Sequence, residues 1–225
     1  MDKSPDLIYA KKSDYVKKVH EFLGPNFEKI DHYTGIELEK DLKSYRNLIS
    51  RTFENSLPKE VLTDMHPPYS ISDFYGTYKC HKENKPIRGI VTSYNYIVVN
   101  SENFLKGLLE PIVAECTFAV DSLKEFKQKF NSDKTSFNEH EHKVVSVDVI
   151  SMYNNVNVPQ VISHILDKIY SQPRKFFKFK NESGVFLPVP EREKLKTFLL
   201  DTFQTYSIFR SPISVFKQKS GLSMG

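Results

Sequence analysis

Apolar residues recur every three or four positions over much of the first 65 residues, the spacing of amphipathic helices. Tyr15, Val16, Val19, Phe22 and Leu23 form one stripe, which stops at Gly24-Pro25 as helices do. Leu38, Leu42, Tyr45, Leu48 and Ile49 form a second within Ile36 to Phe53. Pro58 opens a short piece through Met65, and Pro67-Pro68 breaks it. From 69 to 99 aromatic and β-branched residues alternate with polar ones around the turn Glu83-Asn84-Lys85-Pro86, which predicts a two-stranded ribbon. Ser101 to Phe130 reads as helix again, kinked or divided at Pro111, and Asn131 to His142 as a polar linker.

The valine run in KVVSVDVISMYNNV, Lys143 to Val156, predicts a buried strand over Val144 to Ile150. Along it Val145, Val147 and Val149 share one face, and Ser146, Asp148 and Ile150 the other. Pro159 then starts a helix with Val161, Ile162, Ile165, Leu166 and Ile169 on its apolar side. A basic-aromatic segment, Arg174 to Lys180 (RKFFKFK), precedes another helix from about Glu191 to Gln204. The chain closes on ISVFKQKSGLSMG, a short strand running into a glycine-punctuated turn. Helical and strand segments together predict an α+β class.

Composition narrows the class. A chain of 225 residues, 39% apolar and 27% charged, is ordinary for a folded protein, and no apolar run approaches a membrane span. Its charged start is not a signal peptide, so an intracellular setting, nucleus or cytoplasm, is expected without a membrane partner. Cys80 and Cys116 form no metal-type pair and are expected to stay reduced. Charge is uneven: residues 168–225 hold 11 Lys or Arg against 4 Asp or Glu, and the preceding 167 hold 21 against 24. A basic end beside a near-neutral body fits a polyanionic partner or a solvated lysine-rich surface.

Four places carry candidate chemistry. The ribbon brings Lys79, Lys82 and Arg88 to its tip, a set that suits a phosphate chain and that also occurs on ordinary surfaces. Asp148 is a carboxylate among valines. It either begins the turn that Ser151, Asn154 and Asn155 continue, or opens into a cleft and meets a cation, since an unpaired buried charge is costly. RKFFKFK either contacts phosphates or forms a lysine-guarded edge strand. His140 and His142, with no third ligand nearby, make a weak metal pair.

Four pieces of the chain, in order, resemble the reverse transcriptases of Penelope-like retroelements. KSDYVKKVHEFL resembles the family's upstream tyrosine segment. YKCHKENKPIRGIVTS is similar to its KxHK block and Arg-Pro-Ile segment, with the trio scrambled here as Pro86-Ile87-Arg88. VSVDVISMYNNV resembles its first palm motif, and FKQKSGLSMG the start of the next. The resemblance implies a right-hand polymerase: an N-terminal helical region (1–68), fingers (69–142) and a partial palm (143–225). It implies an RNA template, a DNA primer and deoxynucleoside triphosphates as partners. Asp148 would hold Mg²⁺ with help from the Val149 carbonyl, and Tyr153 would close against the sugar. Lys79 and Arg88 would clamp the triphosphate, with Lys82 a third candidate. Gln218, Gly221, Met224 and Gly225 would line the nucleotide pocket and template path.

The family's Asp-Asp hairpin has no counterpart in the sequence, and its upstream Asp-Lys-Gly block is also missing. The expectation is therefore a fragment, cut at both ends, of an RNA-directed DNA polymerase, inactive by itself and of marginal solubility along an unpaired palm strand. A non-catalytic nucleic-acid-binding remnant and a decayed, poorly folding transposon product are the alternatives. Oligomeric state is not fixed by the sequence.

Overall fold

The computed structural model describes residues 10–24, 27–80, 82–92, 94, 96–116, 120, 122–133, 143, 145–149 and 152–222. Their helices follow the apolar stripes. Helix α1 (Lys12–Leu23) buries Val19 and Leu23. Helix α2 (Gly35–Phe53) starts at a capping box, where Thr34 accepts from the Ile36 amide and Glu37 accepts from the Thr34 amide. A short α3 (Lys59–Asp64) follows Pro58. Helix α4 (Val99–Ala114) carries Pro111 in its last turn, and α5 (Leu123–Asp133) is separate from it. After a 3₁₀ turn at Met152–Asn155 come α6 (Val158–Ser171), the single turn α7 (Pro173–Phe176) and α8 (Arg192–Leu200). The last of these continues as a π turn over Asp201–Thr205.

Five strands form one mixed sheet: β1 (Phe27–Ile30), β2 (Ser72–Tyr78), β3 (Ile87–Val91), β4 (Ile208–Arg210) and β5 (Val215–Gln218), in the order β1-β5-β4-β2-β3. The β2–β4 pair is parallel and the others antiparallel. Side chains alternate across the sheet, so neighbours in sequence enter different cores. Ile208 and Val215 join a large cluster built on α2, α4, α6 and α8, whereas Phe209 and Phe216 join a smaller one under α1. The chain is an α+β protein in which strands come from sequence regions 1–68, 69–142 and 143–225 alike. Among the described residues no helix is long and apolar enough to cross a membrane.

Several expectations change. Residues 145–149 form no strand, and Val145, Val147 and Val149 are 75%, 89% and 64% exposed. The reason is pairing: a β-branched run becomes a strand only where another strand meets its hydrogen bonds, and none of the described ladders includes it. Conversely, β1 lies in a stretch read as helical. The break at Gly24 and the Thr34 cap isolate a segment too short for a helix, and β5 pairs with it from Phe27↔Gln218 to Ile30↔Val215. RKFFKFK is not an edge strand: it runs through the α7 turn, and its one strand-type pairing among the described residues is the isolated bridge Lys180↔Phe186.

Candidate functional site

The β2–β3 ribbon presents the first part of the site. Its register runs from Phe74↔Val91 to Tyr78↔Ile87, and the Lys79 amide donates to the Pro86 carbonyl at 2.8 Å to close it. Beyond that bond the chain reverses through Asn84 and Lys85, both at positive φ, and the Lys18 ammonium donates to the Asn84 carbonyl at 2.7 Å. The tip is thereby anchored to α1. Lys79 and Arg88 stand at the neck of the turn, half-buried, while Lys82 is exposed on the turn itself.

A tight glycine sets the floor. Gly89 lies opposite Gly76, and a Cβ on it would sit 2.6 Å from Phe22 Cζ and from Phe74 Cε2. Without a side chain there, the Phe22 ring of α1 drops onto the ribbon, 5.8 Å from Phe74 and 6.1 Å from Phe27 between ring centres. These three rings, with Gly89, floor a cavity of about 310 Å³. Lys79 and Arg88 line one wall; Val149, Met152, Tyr153 and Asn154 line another.

The second wall is held by the end of the chain. Gly221 has φ +71°, a conformation natural to glycine, and a Cβ there would meet the Tyr153 carbonyl oxygen and lie 2.7 Å from Asn154 C and Cα. The Leu222 amide donates to the Tyr153 carbonyl at 2.8 Å, and Leu222 also lines the cavity. Gln218 shapes the same turn: nearly buried, its carboxamide donates to the Ser220 carbonyl at 2.8 Å and its amide to the Ser207 carbonyl at 3.1 Å.

Residues from three distant stretches thus meet at one cavity: Lys79 and Arg88, Val149 and Tyr153, and Leu222, with Gly221 packed behind Tyr153. Asp148 is exposed, next to the lining residue Val149 and outside the lining itself. Lys82 and Gln218 also lie outside it, and Met224 and Gly225 fall outside the described residues, as do His81, His140 and His142. The aromatic floor of Phe22, Phe27 and Phe74 was not legible as a site, because each ring also fits an ordinary core stripe.

The cations of RKFFKFK are largely engaged within the fold. Lys175 and Lys168 pair with Glu115, and the Arg174 guanidinium donates to the Leu187 carbonyl at 2.7 Å. Arg174 and Lys180 both lie over the Phe186 ring, 5.0 and 4.7 Å from its centre. Cys80 and Cys116 are free thiols. Among the described residues no three His, Cys, Asp or Glu side chains converge as metal ligands. Chemically, an aromatic floor beside two cations suits a flat ring that carries phosphate. Searches against family models, curated proteins and solved structures return no match to the chain.

Proposed function

We propose that the chain is the fingers and part of the palm of an RNA-directed DNA polymerase of the Penelope-like kind, and that the cavity receives a deoxynucleoside triphosphate. One observation carries the reading. Lys79 and Arg88 face the same cavity as Tyr153, 65 residues further along, and the glycine of the last motif packs directly behind that tyrosine. In this reading the two cations hold the triphosphate, Tyr153 lies against the sugar, and the template and primer approach from the open side. Gln218 acts through the turn that presents Gly221, with its carboxamide turned to the backbone.

Magnesium fits this chain only in part. Asp148 and the Val149 carbonyl offer two hard oxygen ligands, and an exposed lone carboxylate holds Mg²⁺ weakly. The described residues do not make a two-ion site, so no chemical step is assigned to them. Asp148 keeps its proposed role only where a second pair of carboxylates is brought beside it. The exposed faces of Val145, Val147 and Val149 are what further palm strands would cover.

Two measurements test the reading. A fluorescent deoxynucleoside triphosphate, titrated in the presence of Mg²⁺, should bind the chain, and Lys79→Ala with Arg88→Ala should weaken it at least tenfold. In primer extension the chain should incorporate nothing. Triphosphate affinity indifferent to the double substitution would refute the pocket, and clear incorporation would refute the incomplete centre.

A further inference from the structure

A second, larger cavity of about 520 Å³ lies beside the first, with Val91 and Leu222 lining both. Its character differs. The wall from α4 presents Glu102, Asn103 and Lys106, and two aromatic residues, Tyr96 and Phe203, line it as well. Both rings are half-buried and packed against the large core, and neither stacks on another ring among the described residues.

Glu102 is the anomaly. Leu105, Leu109 and Ile112 of α4 and the residue before it, Val98, fall on one apolar stripe at helical spacing, and Glu102 interrupts it. Its carboxylate forms no hydrogen bond or ion pair among the described residues, although it is half-buried. A carboxylate placed among apolar groups without a partner is costly, unless something it binds supplies the missing donors. Lys106 stands one helical turn further on the same side, exposed at the rim.

We infer that this cavity binds a guanine nucleotide, its base paired edge-on with Glu102 and stacked against Tyr96 or Phe203, and its phosphate met by Lys106. Guanine presents two adjacent N–H donors on one edge, from N1 and the 2-amino group, and a carboxylate has two oxygens at matching separation. Adenine presents an acceptor at N1 and is disfavoured. Hypoxanthine keeps the N1 donor and lacks the amino group, so it loses half the contact. An unstacked base lying on an aromatic side chain with its pairing edge hydrogen-bonded is a common mode of single-strand recognition. The site stands apart from the polymerase reading, since neither Lys79 nor Arg88 lines it.

The ionisation of Glu102 gives an independent handle. Burial pushes its carboxyl up to about 7. Among the described residues Lys106 is the one other charged residue lining the cavity; the remaining walls bring the hydroxyls of Ser72, Thr92, Thr202 and Ser207. Tyr45 of α2, its hydroxyl pushed far up by burial, feels the Glu102 charge and stays neutral. Two N–H donors need the ionised form, so guanine affinity should rise by about tenfold from pH 6 to pH 8.

The test titrates guanosine, inosine and adenosine 5′-monophosphates into the full chain, followed by amide chemical shifts. Expected are shifts centred on Glu102 to Lys106, affinity falling from guanosine to inosine to adenosine, and the stated rise with pH. Glu102→Gln should lose at least tenfold in guanosine affinity and Lys106→Ala severalfold, while Lys79→Ala with Arg88→Ala leaves those shifts in place. If Glu102→Gln fails to fold, base order and pH profile of the unaltered chain decide. No binding, equal affinity for the three bases, or a flat pH profile overturns the inference.

Discussion

Gly221→Ala is the sharpest perturbation available, because glycines elsewhere in the chain separate the causes of its effect. At φ +71° an alanine pays the left-handed penalty, about 1 kcal/mol. Its Cβ would also run into the Tyr153 carbonyl and lie 2.7 Å from two backbone atoms of Asn154, and backbone cannot swing aside as a side chain would. The turn must therefore lift, which breaks the hydrogen bond from the Leu222 amide to Tyr153, worth about 1 kcal/mol. Together the expected loss is about 2 kcal/mol.

Gly184 has φ +76° and no described residue within reach of its would-be Cβ, so Gly184→Ala isolates the conformational penalty at about 1 kcal/mol. Gly107 lies within α4 with none of the described residues near its would-be Cβ, so Gly107→Ala should stabilise by up to about 1 kcal/mol. Urea unfolding followed by circular dichroism reads all three. Triphosphate titration reads whether lifting the turn releases Tyr153, which should cost Gly221→Ala affinity and leave Gly107→Ala unchanged. A Gly221→Ala variant no less stable than Gly184→Ala, with full triphosphate affinity, would refute the packing of the last turn against Tyr153.

Two more outcomes follow from individual side chains. The Tyr78 hydroxyl is buried without a hydrogen-bond partner among the described residues, so Tyr78→Phe should raise stability by about 1 kcal/mol in the same urea assay; a loss of that size would show a partner. Glu102 has a carboxyl raised in the folded state, so the folded chain holds its proton more tightly than the unfolded one. Its contribution is full below the ordinary carboxylate range and is lost as pH rises to about 7 and beyond. Glu102→Gln should therefore be more stable than the unaltered chain at about pH 8 and lose that advantage in acid. Asp31, Glu37 and Glu115, held below their ordinary values chiefly by hydrogen bonds from Lys29, Thr34 and Lys175, act in the opposite sense and in a more acidic window. A variant whose advantage persists in acid would refute the assignment to ionisation.

What the sequence made legible was local. Stripes at helical spacing located α1, α2 and α6 because each buries one face whatever it packs against, and the turn at Glu83 to Pro86 located the ribbon because its residues need no distant partner. Strands β1 and β4, four and three residues long, exist only through their neighbours, and nothing in Phe27–Ile30 announces Val215–Gln218. The valine run fails for the same reason in reverse: its propensity is strong, and its partner is not among the described strands. The site divides along the same line. Lys79 and Arg88 were placed by the ribbon's own register, and Tyr153 by likeness to a motif. Their meeting depends on Gly89 admitting Phe22 and on Gly221 admitting the Tyr153 carbonyl, two close approaches that appear in a sequence only as glycines. Glu102 carried a readable signal, a carboxylate at a helical spacing where Val98, Leu105 and Leu109 are apolar. Charge set into an apolar stripe marks a residue whose partner comes from elsewhere in the fold or from outside it, and here the fold supplies none among the described residues.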